Sequence, residues 1–310
     1  MNESLVLSEL ISRLSGAVEH WKSQSEIILI DDGSTDSTWA DIEELAKLNP
    51  LVRGVKLSAN RGHQLALTAG LETATGERIF MLDADLQDPP ELISEMMALM
   101  DQGYDVVYGR RKKRHGESVL KKVTAYTFYR TLNFLSDANI PNDTGDFRLV
   151  NRRALDAVLS MPERARFIRG MFSWAGFRQI GIEYDRSERF AGETKYGWSA
   201  MIKFALDAVT GFSIRPLRIA TQLSILTAII TVGMAIYVIG GLIFFQTVPG
   251  WASTLLAISF FSSIQLLTLG IMGEYVGRLY IEAKNRPLYF VDEDTANATS
   301  PNVDEKANAS

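Results

Sequence analysis

The stretch RIFMLDADLQDPPELI, Arg78 to Ile93, sets an apolar run against three carboxylates, Asp83, Asp85 and Asp88. A run such as IFML reads as a buried strand, and unpaired charge is costly to bury. The carboxylates therefore belong at the strand's end, where something wants negative charge. In a strand, residues i and i+2 point the same way, so Asp83 and Asp85 project together. The PPEL that follows reads as the first turn of a helix, with Asp88 as its cap. The spacing D-x-D says little by itself, because Asp292-Glu293-Asp294 repeats it in the polar C-terminal segment. The context of strand, carboxylates and Pro-capped helix sets Asp83 and Asp85 apart. Two carboxylates plus substrate phosphates are a common setting for Mg²⁺ or Mn²⁺.

Upstream, EIILI (Glu26 to Ile30) is a second short strand, ending in DDGSTD, and STWADIEELAKL reads as a helix. VRGVKLS is a strand, GHQLALTAGLETA a helix, PPELISEMMALMDQG a helix and YDVVYG a strand. Met1 to Trp21 has helical periodicity, with Leu7, Leu10, Ile11, Leu14 and Val18 on one face. This alternation predicts an α/β fold with a mostly parallel sheet and helices on both faces. Ligands of such sheets bind at the carboxyl ends of strands, where DDGSTD and DADLQD both lie. Further along, TGDFRLVNRRALDAVLSM gives a loop, a short strand and a helix, and FRQIGIEYDRSERF another strand.

The chain has 310 residues, 46% of them hydrophobic and 22% charged, with a net charge of −5. That balance argues against a nucleic-acid partner. There is no cysteine, which excludes disulfides, thiolate metal sites and cysteine nucleophiles. The three histidines, His20, His63 and His115, are scattered, which argues against a His-rich metal site. No G-x-G-x-x-G follows a strand, and GETKYGWS places Trp198 where a P-loop needs lysine. The basic run RRKKRH, Arg110 to His115, follows YDVVYG at the edge that carries the carboxylates; Arg110, nearest the strand, is its candidate phosphate contact.

Two uncharged runs, Leu223–Phe245 and Trp251–Gly273, have the length of membrane spans. Lys203, Arg215 and Arg218 precede the first, and Arg278, Lys284 and Arg286 follow the second. The positive-inside rule then puts both termini in the cytoplasm. The expected organisation is a cytoplasmic domain over 1–196, an amphipathic juxtamembrane helix over 197–218, a two-helix anchor over 219–276 and a cytoplasmic polar tail over 277–310. The segment after Val291 is expected to be disordered.

Together, IDDGSTDST, NRGHQLALTAGL, DADLQDPPEL, VVYGRR, TGDFRLV and RFAGETKY resemble the family 2 glycosyltransferases of GT-A fold that act on polyprenyl phosphates. The nearest branch is the bactoprenol glucosyltransferases, relatives of dolichol-phosphate mannose synthase. The resemblance runs from about residue 2 to residue 287 and includes the two apolar runs. It implies inverting transfer of a sugar from a nucleotide sugar, UDP-glucose, to undecaprenyl phosphate at the cytoplasmic face of the bacterial inner membrane, with Mg²⁺ or Mn²⁺. UDP-GlcNAc or GDP-mannose as donor, or a non-enzymatic sugar-nucleotide binder, are the alternatives. A processive polysaccharide synthase is disfavoured, because two helices are too few for a channel. A homo-oligomer is expected.

The resemblance also implies roles. Asp31, Asp32, Asp83 and Arg110 would contact the nucleotide sugar. Asp85, Asp83 and Gln87 would hold the metal. Asp146 and Arg148 would be catalytic, and Arg189 and Lys195 would meet the acceptor phosphate. The family usually opens with an apolar strand and a P-x-Y-N-E segment, of which Asn2 and Glu3 match only the end. For the chain as it stands this implies weaker nucleotide binding and a less stable domain.

Overall fold

A computed structural model of the chain describes residues 2–111, 144–185, 215–244 and 250–296. Arg189, Lys195, the juxtamembrane segment up to residue 214, and Lys112 to His115 of the basic run lie outside them. The chain divides into two units. The first comprises 1–125, 138–196 and 286–310, the second 126–137 and 197–285.

The first unit opens with α1 (Ser4–Ala17). Its periodic face is the one expected from sequence: Leu7, Leu10, Ile11, Leu14 and Val18 are buried, with Val6. Then come β1 (Ile27–Asp31), α2 (Thr38–Leu48), β2 (Val52–Leu57), α3 (His63–Thr73) and β3 (Arg78–Met81). They are followed by α4 (Ile93–Asp101), β4 (Val106–Arg111), β5 (Thr144–Asn151), α5 (Arg152–Leu159), α6 (Ile168–Ala175) and β6 (Gln179–Tyr184).

With β7 (Val291–Asp294), the strands form two sheets among the described residues, ordered β1-β2-β7 and β3-β5-β4-β6. The pairs β1/β2 and β4/β6 are parallel, as the strand–helix alternation implies. β5 enters antiparallel between β3 and β4, with Met81 opposite Arg148 and Arg110 opposite Thr144. The start of β5 thus lies at the same edge as the ends of β3 and β4. Gly145 to Val150 are all buried, so this strand is covered on both faces.

Two apolar clusters stand out among the described residues of the unit. α1 packs Val6, Leu7, Leu10, Ile11 and Leu14 against Ile27 and Leu29 of β1, Ile42, Val52 and Leu86. Each such side chain contributes about 1.5–3 kcal/mol by leaving water. Met96, Met100, Val107, Phe147, Leu149 and Tyr184 form the other cluster.

Of the segment expected to be disordered, Val291 to Ala296 are described and are ordered, and residues 297–310 lie outside the described residues. Val291–Asp294 forms β7, antiparallel to β2. Arg53 holds Asp294 through two hydrogen bonds, at 3.1 and 2.7 Å, and Lys56 meets Glu293 at 2.5 Å. The Thr295 hydroxyl accepts from the Gly54 N–H. A polar, acidic strand is stable here because Arg53 and Lys56 of β2 supply its partners across the ladder. The second D-x-D of the sequence is therefore a structural element.

The second unit contains α7 (Arg215–Phe244) and α8 (Trp251–Ala283). Both extend beyond the apolar runs seen in the sequence. Leu217–Tyr237 and Ala257–Ala283 are long and apolar enough to cross a membrane.

Candidate active site

The carboxylates at the end of β1 are engaged by their own loops. Asp31 is buried and accepts from the Ser34 hydroxyl and, at 3.2 Å, from the Ser34 N–H. Asp32 accepts from the backbone N–H groups of Arg61 and Gly62 at 2.7 and 2.9 Å. Asp32 thereby fixes the loop that launches α3. Gly33 lets the two loops meet: its φ is +65°, and a Cβ there would lie 2.7 Å from the Asn60 nitrogen. Asn2 reaches the same region, donating from its N–H to the Ser34 hydroxyl and accepting from the Thr35 N–H, both at 3.0 Å.

The loop held by Asp32 delivers His63 and Gln64, at the start of α3, to Asp146 on β5. His63 Nε2 lies 2.9 Å from Asp146 Oδ2, and Gln64 Nε2 donates to the same oxygen at 3.1 Å. Arg169 of α6 donates to Asp146 from Nε at 2.8 Å and from a terminal nitrogen at 3.1 Å. Gln64 Oε1 accepts from the Ile168 N–H at 2.9 Å, which ties α3 to the start of α6. Asp146 is only 2% exposed. Burial alone would raise its pKa, but the donors His63 and Arg169 hold it far below the usual carboxylate range. The hydrogen bond to Asp146 raises His63 in turn, against its desolvation.

His63 also joins Asp146 to the D-x-D. Its Nε2 lies 3.6 Å from Asp83 Oδ1, and its side chain remains 46% exposed. Burial pushes the Asp83 carboxyl up; Asp146, Asp85 and Asp88 push the same way and His63 opposes them. Asp85 accepts from the Gln87 N–H at 3.2 Å across a turn in which Leu86 takes φ +59°. Asp83, Asp85, Gln87 and Asp146 are therefore gathered at one sheet edge.

Other assignments differ. Arg148, expected beside Asp146 at the reacting centre, is 3% exposed and donates to the Gly145 carbonyl at 3.1 Å. It lies 5.4 Å from the centre of the Phe172 ring, and burial draws its pKa down to about 10. It acts from beneath the site as buried positive charge. Arg110 turns to Glu183 of β6 at 2.7 Å, with more than half its side chain exposed. The next residue, Arg111, turns inward, with its Nε 3.3 Å from the Tyr184 hydroxyl and a terminal nitrogen 3.9 Å from Asp88.

Asp88 is no helix cap. It is buried and accepts from the Tyr184 hydroxyl at 2.5 Å. The Pro-led turn after it, Pro90–Leu92, has no side-chain cap. Proline at its start removes one of the N–H groups that a cap would serve. Burial and Asp88 together push Tyr184 up to about 12.

His63, Gln64 and Arg169 went unassigned in the sequence. The first two carried a signal, since RGHQ opens a helix directly after a strand and so lies at the ligand-binding edge. Arg169 carried none, because nothing local places α6 against the start of β5.

The family model described as "Glycosyl transferase family 2" matches residues 1–159. An uncharacterized glycosyltransferase of Bacillus subtilis (strain 168), YkcC, is 44% identical over 295 residues, covering 94% of this chain and 91% of that protein. A prophage bactoprenol glucosyl transferase homolog of Escherichia coli (strain K12) is 40% identical over 267 residues, 86% of this chain and 87% of that one. The bactoprenol glucosyl transferase of Shigella phage SfV is 38% identical over 270 residues, 87% and 88% of the two chains. Joined to a sheet edge that collects the family's acidic motifs, these likenesses extend over nearly the whole chain: it belongs to glycosyl transferase family 2 and is a glycosyltransferase of GT-A fold.

Proposed function

We propose that the protein transfers a sugar, glucose from UDP-glucose, to undecaprenyl phosphate at the cytoplasmic face of a bacterial inner membrane. The observation that carries this reading is the meeting of Asp83 and Asp85 with the Asp146 cluster at one sheet edge, in a chain with two helices of membrane-spanning length. The likeness to bactoprenol glucosyl transferases supports the lipid acceptor and the glucosyl donor. The product is a lipid-linked sugar for envelope glycan modification.

The donor set fits a divalent ion that substrate phosphates complete. Among the described residues no group of three His, Cys, Asp or Glu side chains is placed to hold a metal ion, so those residues form no closed metal cage. The mutual repulsion of Asp83, Asp85 and Asp88, which helps to raise Asp83, is the kind of strain that a cation relieves. Asp85 and Asp83 would hold Mg²⁺ or Mn²⁺, with Gln87 beside them. When bound, such an ion neutralises a diphosphate and improves it as a leaving group.

The acceptor is a phosphate monoester with a second pKa of about 6, so at neutral pH it is largely ionised. It attacks without first giving up a proton. The chain's task is then to hold two anionic substrates in line and to exclude water. The buried Arg148, with Arg169 and His63 nearer the surface, gives the edge a positive flank opposite the acidic strand end. Arg189 and Lys195 are proposed to receive the acceptor phosphate beside the membrane.

The test is incubation of membranes containing the protein with undecaprenyl phosphate, Mg²⁺ and a panel of labelled nucleotide sugars. A lipid-linked product from UDP-glucose is expected, and Asp85→Asn abolishes it. Absence of lipid-linked product with every donor ends the transferase reading for this acceptor; product from another donor alone corrects the sugar.

A further inference from the structure

The side chains around Asp146 differ in what they leave for a substrate. Asp146 itself is 2% exposed. Gln64 spends both ends of its amide inside the protein, Nε2 on Asp146 and Oε1 on the Ile168 N–H. His63 does not. Its side chain is 46% exposed, and it meets the protein through Nε2, which lies 2.9 Å from Asp146 Oδ2 and 3.6 Å from Asp83 Oδ1. Among the described residues, His63 Nδ1 has no hydrogen-bond partner.

The bond to Asp146 fixes the ring. Asp146 is held ionised, and an ionised carboxylate only accepts, so Nε2 carries the N–H that joins them. The imidazole ring is rigid, and its two nitrogens point in widely divergent directions. Seating Nε2 on a buried carboxylate therefore turns Nδ1 away from that carboxylate. The backbone beneath the ring is fixed as well. α3 begins at His63, and Asp32 fastens the N–H groups of the two residues before it. Nδ1 is thus a pre-set polar atom at the sheet edge that carries the D-x-D, the kind of group that orients a ligand and gives a site its specificity.

The surroundings select its partner. A phosphate oxygen brought to the ring would face two carboxylates, both within 3.6 Å of Nε2. A sugar hydroxyl is neutral and both donates and accepts, so it meets Nδ1 whether or not that nitrogen carries a proton. We propose that His63 Nδ1 hydrogen-bonds a hydroxyl of the donor sugar and that His63 thereby helps to determine which sugar is transferred.

This inference rests on the transferase reading above, and the experiment separates the two. The full chain in detergent is compared with His63→Ala and His63→Gln. Glutamine can keep a donor near the place of Nε2, and with it the bond to Asp146, but puts nothing at the place of Nδ1; it carries the test if His63→Ala does not fold. Affinities for UDP, for UDP-glucose and for UDP-glucose analogues each lacking one sugar hydroxyl are measured, with kcat/KM for transfer to undecaprenyl phosphate. For wild type, one analogue is expected to lose about tenfold in affinity or kcat/KM. In both variants that one penalty is expected to shrink to about twofold, with the penalties of the other analogues and the affinity for UDP unchanged. A merely structural role would lower all donors alike and leave every penalty where it was; that result overturns the inference. So does a wild type indifferent to every missing hydroxyl, or a variant that loses as much affinity for UDP as for UDP-glucose, which moves the contact to the diphosphate. Wild type that neither binds UDP-glucose nor forms lipid-linked product defeats the transferase reading and this inference with it. An active, Asp85-dependent enzyme whose hydroxyl penalties ignore His63 defeats only this inference.

Discussion

Gly33 and Asp32 work as a pair at the residue scale. One lets the β1–α2 loop approach Asn60, and the other fastens the two N–H groups that precede His63. Substituting Gly33→Ala meets both a left-handed φ and a Cβ 2.7 Å from backbone, and backbone cannot step aside as a side-chain tip can. Asp32→Ala leaves two N–H groups without their acceptors, at a cost of about 1–3 kcal/mol each if water does not reach them. Both variants are expected to lower the denaturation midpoint, and to reduce transfer beyond what the lost stability accounts for, because His63 and Gln64 stand on that loop. Urea titrations run beside activity assays on the same preparations check this; unchanged specific activity for both variants would disprove the coupling. The acidic residues of DDGS and D-x-D were legible as site residues because they stand at strand ends. Their contacts were not: Asp88 looked like a cap and lies buried against Tyr184, from a strand 96 positions later in sequence.

At the scale of elements, the N-terminal helix and the strands through β4 were readable, since their periodicities and turn residues are local. β7 was not. Its sequence, VDED, has the composition of a solvated tail, and its partner β2 is more than 200 residues earlier. Strand formation there depends on Arg53 and Lys56 opposite, which no local window contains. Ending the chain after Phe290 removes this strand and leaves the outer edge of β2 unpaired. A lower melting temperature and more self-association are expected, because an exposed strand edge is a template for other chains. Arg53→Ala, which removes one partly buried ion pair, is expected to cost about 1 kcal/mol without self-association. Thermal melts with light scattering on the two variants check both claims; a truncated chain as stable as the parent would make β7 incidental.

For the whole molecule, proton balance sets the pH response. Asp36, Glu91, Asp105, Asp146 and Asp294 are all held below their ordinary values. For Asp105, burial pushes upward but is outweighed by donors on Asn151, Arg153 and the Arg178 backbone. Depressed carboxyls contribute stability that is complete above about pH 4 and disappears as pH falls through their folded values. Asp83, raised by burial, works the other way, since protonation relieves it. His63, raised by Asp146, adds stability below about pH 6.5 that is lost as pH rises through its folded value. The lowered carboxyls, with Glu293 beside Lys56 also among them, outnumber the raised one and make the domain less stable at pH 3.5 than at pH 6; Asp105→Asn is expected to flatten that slope. Urea unfolding of the full chain at the two pH values, followed by tryptophan fluorescence, tests it. Equal midpoints for the parent chain would contradict the balance.

The return of the chain to β2 after α8 also fixes an order of events. The three-stranded sheet draws its third member from residues 291–294, made only after both long helices have been synthesised. The domain is discontinuous, with residues 197–285 forming an excursion inside it. Its last stitch therefore waits on synthesis of the helical pair, so a nascent chain halted within α8 carries a catalytic unit whose first sheet still has an open seam.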